Sequence, residues 1–243
     1  MEKINILGAH VSNVTASEAA DIILHRTKNK ETTRVFTPNS EIIENFRKDP
    51  KMLEILNSAE LLTPDGIGVV IGSKILGTPL KERAAGFDIA SLLLDRARKD
   101  GLTFYFFGSK EEVGKLAKKN VEKMYPGVKI VGTHSGYFSE NDDIAAIIAE
   151  ANPDIIFVCL GAGKQEKWIY DNAPRLSGKA LLGIGGSLDV FAGTVKRAPD
   201  IFIKLNLEWF YRLIKQPQRF IRMLALPRFI LSVTGYRLKH GKE

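Results

Sequence analysis

"DIIFVCLGAGKQEKW", Asp154 to Trp168, decides the fold class. The unbroken apolar run from Ile155 to Leu160 is short and rich in β-favouring side chains, so it reads as a strand covered on both faces. Gly161 and Gly163 then turn the chain, and a polar stretch with Gln165 and Glu166 follows. A buried strand, a glycine turn and a polar helical start form the repeating unit of a parallel α/β sheet.

Working outward, the same unit recurs. "ALLGIGG" (180–186) leads into "SLDVFAG" (187–193), and "LTFYFFG" (102–108) leads into "KEEVGKLAKKNVEKMY" (110–125). In that last stretch Val113, Leu116, Ala117, Val121 and Met124 keep the three-four spacing of one apolar helix face. "TRVFT" (33–37) and "VKIVGTH" (128–134) are further strands, with "INILG" (4–8) and "ELLT" (60–63) as shorter ones, and "SEAADIILHRTK" (17–28) has a helical pattern. The expected architecture is a Rossmann-like, mostly parallel sheet with helices on both faces. No internal repeat or low-complexity linker interrupts it.

The charge is unevenly placed. The chain carries a net +7, yet residues 196–243 hold 11 Lys or Arg against Asp200, Glu208 and Glu243. The rest is close to neutral, so the basic character belongs to the C-terminal segment and points to an anionic partner. The N-terminus lacks the pattern of a signal peptide, and no stretch is apolar enough for a transmembrane helix. Cys159, the only cysteine, sits inside an apolar run and reads as a packed thiol in a reducing compartment, the cytoplasm.

Two junctions echo each other. "FTPNSE" (36–41) and "LTPDGI" (62–67) each follow a strand and precede a helix. Asn39 and Asp65 can cap those helices. Strand ends of a doubly wound sheet also share one ligand-binding edge, which would bring Thr37, Asn39 and Asp65 to one crevice. The glycine turns at 161–163 and 183–186 follow strands and can bring amides to a phosphate, or can simply be tight turns. Neither completes G-x-G-x-x-G, and no P-loop motif occurs, so both nucleotide fingerprints fail. No paired CxxC, H-E-x-x-H or Asp-x-Asp is present, and His10, His25, His134 and His240 are scattered; no metal ligand set and no cofactor is expected.

Taken together, "TPNSE", "TPDGIGVV", "ERAAGFD" (82–88), "FFGS" (106–109), "GAGKQEKWI" (161–169), "GGSLDVFAGTVKRAP" (185–199) and "LEWFYRL" (207–213) resemble the WecG/TagA/CpsF glycosyltransferases, from about residue 3 to about residue 230. The resemblance implies a Rossmann-like, inverting, metal-independent enzyme. Such enzymes transfer a sugar from a UDP-sugar to an undecaprenyl-diphosphate-linked acceptor. The branch most similar to this chain transfers N-acetylmannosamine onto GlcNAc-diphospho-undecaprenol in wall teichoic acid synthesis. Another branch uses N-acetylmannosaminuronic acid. Gly161-Ala162-Gly163 departs from the family's usual Gly-x-Pro.

On this resemblance Asp65 is the base that deprotonates the acceptor hydroxyl. Thr37 and Asn39 position the sugar or that hydroxyl. The leaving UDP meets amides near Gly108, Gly161, Gly185 and Gly186. Gln165 reads the base or ribose, beside Glu166. Arg83 serves a phosphate or pairs with Glu82 or Asp88; Tyr137 lines the sugar pocket or belongs to the core.

The C-terminal segment "LEWFYRLIKQPQRFIRMLALPRFILSV" mixes cations with Trp209, Phe210, Phe220, Leu224, Phe229 and Ile230. That suits an interfacial helix on an anionic membrane, or a hairpin docked on the domain. Pro217 breaks or begins a helix within it. Arg212, Arg219 and Arg222 match arginines of the family's C-terminal appendage and are expected to hold a diphosphate. The expected division is a catalytic domain at 1–195 and a membrane-associating appendage at 196–243, on the inner face of the plasma membrane. Undocking of the apolar tail would favour self-association into a homo-oligomer. An NAD-type oxidoreductase and a nucleic-acid binder are the rival readings. The broken fingerprints oppose the first; aliphatics between the aromatics oppose the second.

Overall fold

The computed structural model describes residues 1–139, 141–215 and 217–241, and the side chains of Arg212, Arg219, Ile221 and Arg222 lie outside that description. The chain begins with β1 (Lys3–Ile6), β2 (Ala9–Ser12), α1 (Ala16–Lys28), β3 (Thr33–Phe36), α2 (Ser40–Phe46), α3 (Pro50–Asn57), β4 (Leu61–Leu62) and α4 (Ile67–Leu76). It continues through α5 (Gly86–Ala97), β5 (Thr103–Gly108), α6 (Glu111–Met124), β6 (Lys129–His134), α7 (Ile144–Ala151), β7 (Ile155–Cys159), α8 (Lys164–Asn172), β8 (Ala180–Gly183) and α9 (Ser187–Phe191). It ends in α10 (Asp200–Lys204), α11 (Glu208–Lys215), α12 (Phe220–Met223) and α13 (Ala225–His240).

Six strands form one parallel sheet in the order β4-β3-β8-β7-β5-β6. The strand period of two splits each apolar run between two cores. Ile155, Phe157 and Cys159 face α1, α5, α6 and α9, while Ile156 and Val158 face α2, α3, α4, α7 and α8. Both faces are therefore covered, as the unbroken apolar runs imply. Burial pushes the Cys159 thiol up to about 12, so it stays a neutral packing group.

Two local expectations need correction. β1 does not join the large sheet; it pairs antiparallel with β2, which the sequence reading missed. Leu7 and Gly8 make the turn, both with positive φ (54° and 93°), the combination that matches hairpin twist. The apolar stripe of α6 is also displaced. Gly114, Ala117 and Val121 are its buried positions, whereas Leu116 and Met124 are 40% and 53% exposed. Small residues take the inner face because α6 packs closely on α9 and β6.

Beyond residue 195 the helices behave differently from one another. Ile201, Leu205, Phe210, Ile214 and Phe220, in or beside α10 to α12, are exposed apolar side chains. α13 instead lies on α4 and α2, with Phe229 and Val233 fully buried in the same core as Phe36 and Ile156. Gly68 and Gly72, one turn apart on α4, make the approach possible. A Cβ at Gly68 would stand 2.5 Å from Leu226, and one at Gly72 would stand 2.7 Å from Phe229. Among the described residues no helix is long and apolar enough to cross a membrane.

Glu44 fastens this contact electrostatically. Its carboxylate is 5% exposed and bridges Arg47 at 2.8 Å and Lys48 at 3.0 Å, and Arg47 donates to Ser232 Oγ at 2.9 Å. Burial works to raise its pKa, but the Arg47, Lys48 and Ser232 hydrogen bonds outweigh it and hold the carboxyl at about 2. A depressed carboxyl stabilises the fold fully above its unfolded pKa, near 4.5, and that contribution disappears as pH falls toward 2. Glu44→Ala is expected to cost about 2 kcal/mol at pH 7 and much less at pH 3, read as the denaturation midpoint at both pH values.

Candidate active site

The β3 and β4 ladder continues past both strands. Thr63 N donates to Phe36 O at 2.9 Å and Asp65 N to Pro38 O at 3.0 Å, so the two Thr-Pro junctions run side by side. The fold thus brings Thr37, Asn39 and Asp65 together at the carboxyl edge of the sheet. Their local duties differ. Asn39 caps α2 by accepting from Ile42 N at 3.0 Å. Asp65 does not cap α4, whose cap is Gly66 with a φ of 118° and no side-chain bond. Its Oδ2 instead faces Gly86 N, the first residue of α5, at 3.4 Å. Asp65 is half-buried, so part of its surface stays open to solvent.

Arg83 is the electrostatic partner of this carboxylate. Burial lowers its pKa, but the charges of Asp65, Glu208 and Asp88 outweigh that and raise it above its ordinary value. Its guanidinium reaches Asp88 at 3.1 Å and Glu208 of α11 at 2.9 Å, and only 12% of the side chain is exposed. Asp88 is one of the two partners expected from sequence; Glu82 is not, because it accepts from Ala16 N at 3.1 Å. Asp88 also holds Arg197, whose guanidinium lies 4.6 Å over the Phe87 ring. Glu208, counted in the sequence only as a stray acid in a basic tail, is what ties α11 to the crevice.

A second cluster occupies the middle of the same edge. Thr37 Oγ1 donates to Gly183 O at 3.0 Å. Gln165 lies across Gly183, where a Cβ would stand 3.0 Å from its amide nitrogen. Gln165 Oε1 accepts from Gly185 N at 3.0 Å, and its Nε2 donates to Glu166 Oε1 at 3.0 Å. Glu166 Oε2 accepts from Gly163 N at 2.6 Å. Burial raises the Glu166 pKa, and the bonds from Gln165 and Gly163 oppose that rise.

The sequence description of the glycosyl transferase WecG/TagA/CpsF family matches residues 4–243. The chain belongs to the WecG/TagA/CpsF family. It is a glycosyltransferase. The N-acetylglucosaminyldiphosphoundecaprenol N-acetyl-beta-D-mannosaminyltransferase of Bacillus subtilis (strain 168) is 44% identical over 200 residues, 82% of this chain and 78% of that protein. The enzyme of the same name from Bacillus spizizenii is 39% identical over 208 residues, 86% and 79% of the two chains. That of Staphylococcus aureus (strain MRSA252) is 34% identical over 242 residues, 99% and 95%.

The remaining expected residues of this family member fall as follows. Gly108 has a φ of 127°, and a Cβ there would stand 2.4 Å from Cys159 O, so the close approach of the two strands demands glycine there. Gly185 is half-buried with a φ of 56°, and Gly186 is exposed. Tyr137 is 76% exposed, not a core tyrosine. Gly136 N donates to Ser109 O at 2.9 Å, which folds the Tyr137 loop back over the ends of β5 and β7. Glu166, expected against substrate, is fully buried, and Gln165 is 3% exposed. Gly161 and Gly163 both have a φ of 84°, which a proline at 163 cannot adopt. The side chains of Arg212, Arg219 and Arg222 lie outside the described residues. Sequence reasoning missed Ser109 and Asp189, whose side chains meet at 3.3 Å where β5 faces α9. Two surface clefts lie elsewhere, one lined by Asp143, Trp168 and Arg175 and one by Met1, Asn13 and Lys81; neither holds any of these groups. Among the described residues no three His, Cys, Asp or Glu side chains stand together as a metal-ligand set.

Proposed function

We propose that this glycosyltransferase moves N-acetylmannosamine from UDP-N-acetylmannosamine to the GlcNAc of undecaprenyl-diphosphate-GlcNAc, with inversion and without a metal. The shared activity named for relatives that match 82 to 99% of the chain carries the choice of substrates. Asp65 takes the proton of the attacking acceptor hydroxyl; its half-buried carboxylate at the strand edge supports that role. Arg83 sets a positive charge beside Asp65, and the Asp65 charge in turn helps raise the Arg83 pKa. Thr37 and Asn39 border the same crevice and orient the reacting groups. Negative charge developing on UDP is met by the amides of the turns at Gly108, Gly161, Gly185 and Gly186, with Tyr137 over that half of the edge.

Arg212, Arg219 and Arg222 belong to the segment that Glu208 joins to the crevice, and in this reading they meet the acceptor diphosphate. The exposed Phe210, Ile214 and Phe220, with Lys204 and Lys215 nearby, suit a peripheral seat on an anionic membrane. UDP-N-acetylmannosaminuronic acid or another UDP-hexose remains the alternative donor.

A panel of UDP-sugars, incubated with a short-chain GlcNAc-diphospho-lipid and read by mass spectrometry, tests this reading. The expected product gains one N-acetylhexosamine from UDP-N-acetylmannosamine alone. Transfer from the uronic acid instead would reassign the donor, and no transfer from any donor would refute the substrate assignment.

A further inference from the structure

Glu166 is a buried carboxylate that the proposed chemistry does not use. It has no exposed surface, yet both of its oxygens are engaged. Oε2 accepts from Gly163 N and Oε1 accepts from Gln165 Nε2. Gln165 in turn presents Oε1 to Gly185 N. The chain Gly163, Glu166, Gln165, Gly185 therefore links the glycine turn after β7 to the glycine turn after β8.

The link has a direction. Both Glu166 oxygens face N–H donors and serve as acceptors, whereas a glutamine amide has one accepting and one donating end. Glu166 therefore forces the amine end of Gln165 toward itself, and the carbonyl end is left to face Gly185. Gly183 supports this pose, because any side chain there would strike the Gln165 amide.

We propose that Glu166 is a positioning residue for the nucleotide-facing turns: by fixing which way the Gln165 amide points, it sets the Gly185 turn in the shape that receives the donor's diphosphate. The ligand class, a nucleoside diphosphate, rests on the transferase reading above; the directional link itself does not. Gln165 is the lever and Glu166 sets its polarity without touching substrate.

The isosteric change Glu166→Gln separates polarity from volume. Its amide oxygen keeps Gly163 N, which turns its amine toward Gln165. Gln165 must then flip, and its own amine confronts Gly185 N–H, a donor against a donor. A buried donor without an acceptor is costly, so exchanging one oxygen for a nitrogen at 166 breaks a contact at 185. Transposing the pair repairs the chain. In Gln165→Glu combined with Glu166→Gln, the new carboxylate at 165 accepts from both the amide at 166 and Gly185 N.

Three forms of the full chain are compared: wild type, Glu166→Gln and the transposed double variant. The readouts are Gly185 amide exchange, UDP affinity by calorimetry and the thermal midpoint. Glu166→Gln is expected to speed Gly185 exchange at least tenfold and to weaken UDP binding about ten- to hundredfold, the effect of one unsatisfied buried donor. The double variant should return Gly185 exchange to within about threefold of wild type, the tolerance for a restored single contact. Wild-type exchange and affinity in Glu166→Gln would overturn the proposal, as would a double variant whose Gly185 exchanges as fast as in the single one. Should Glu166→Gln fail to fold, the double variant decides alone: folded with Gly185 protected, it supports the link; unfolded, it overturns it. If wild type binds no UDP, the transferase reading fails, and the exchange measurements still judge the link.

Discussion

Asp65→Asn is expected to lower sugar transfer by about a hundred- to ten-thousandfold, the range a positioned general base supplies. The asparagine retains the size of the side chain and an oxygen that can face Gly86 N, but it cannot take a proton. The fold has little reason to change. Arg83 keeps Glu208 and Asp88 after the Asp65 charge is gone, so no buried cation is abandoned. A thermal midpoint within a few degrees of wild type should accompany the loss of turnover. Near-normal transfer by the purified variant would remove Asp65 from the mechanism. Asp65→Ala is a poorer probe, because it also removes the contact to α5.

Phe229→Ala should be the most damaging single truncation in the C-terminal segment, at about 3 to 5 kcal/mol. The ring is fully buried and rests on Gly72, where not even a methyl group would fit. Gly72 carries no side chain that could fill the resulting void. The neighbouring Leu231, 73% exposed, gives the control: Leu231→Ala should change stability by less than about 0.5 kcal/mol. Urea denaturation midpoints of the two variants make the comparison. Equal effects would mean that α13 is only loosely attached. The last helix shares its core with the sheet, through Phe229 and Val233.

The strands were legible because parallel strands buried on both faces need uninterrupted apolar runs, and few other elements show them. The order of strands was not legible. Nothing in "TRVFT" or "ALLG" says that β3 and β8 are neighbours across more than 140 residues, as the Thr33 to Ala180 register places them. The α6 stripe was misread because periodicity identifies a helix and an approximate face, but close packing prefers Gly114 and Ala117 to the larger Leu116. The signal for β2 was present in the alternation of "INILGAHV", hidden by a turn whose first residue is Leu7.

The site divides in the same way. Residue chemistry marked Thr37, Asn39, Asp65 and the glycine turns as strand-end residues, with helix capping and tight turns as competing uses, and Asn39 does cap α2. Glu208 beside Arg83 and the direction of the Gln165 amide depend on contacts between distant segments, 125 residues apart in the first case.

The sequence by itself determined the strands of the parallel sheet, the covering of both its faces, the family resemblance and the strand-end residues, because each is written in local pattern and composition. Only the tertiary structure decided that Arg83 is shared by three carboxylates, that Glu166 faces inward and that α13 belongs to the core. Those outcomes depend on which surfaces meet, and long-range packing and desolvation settle that only when the whole chain is folded.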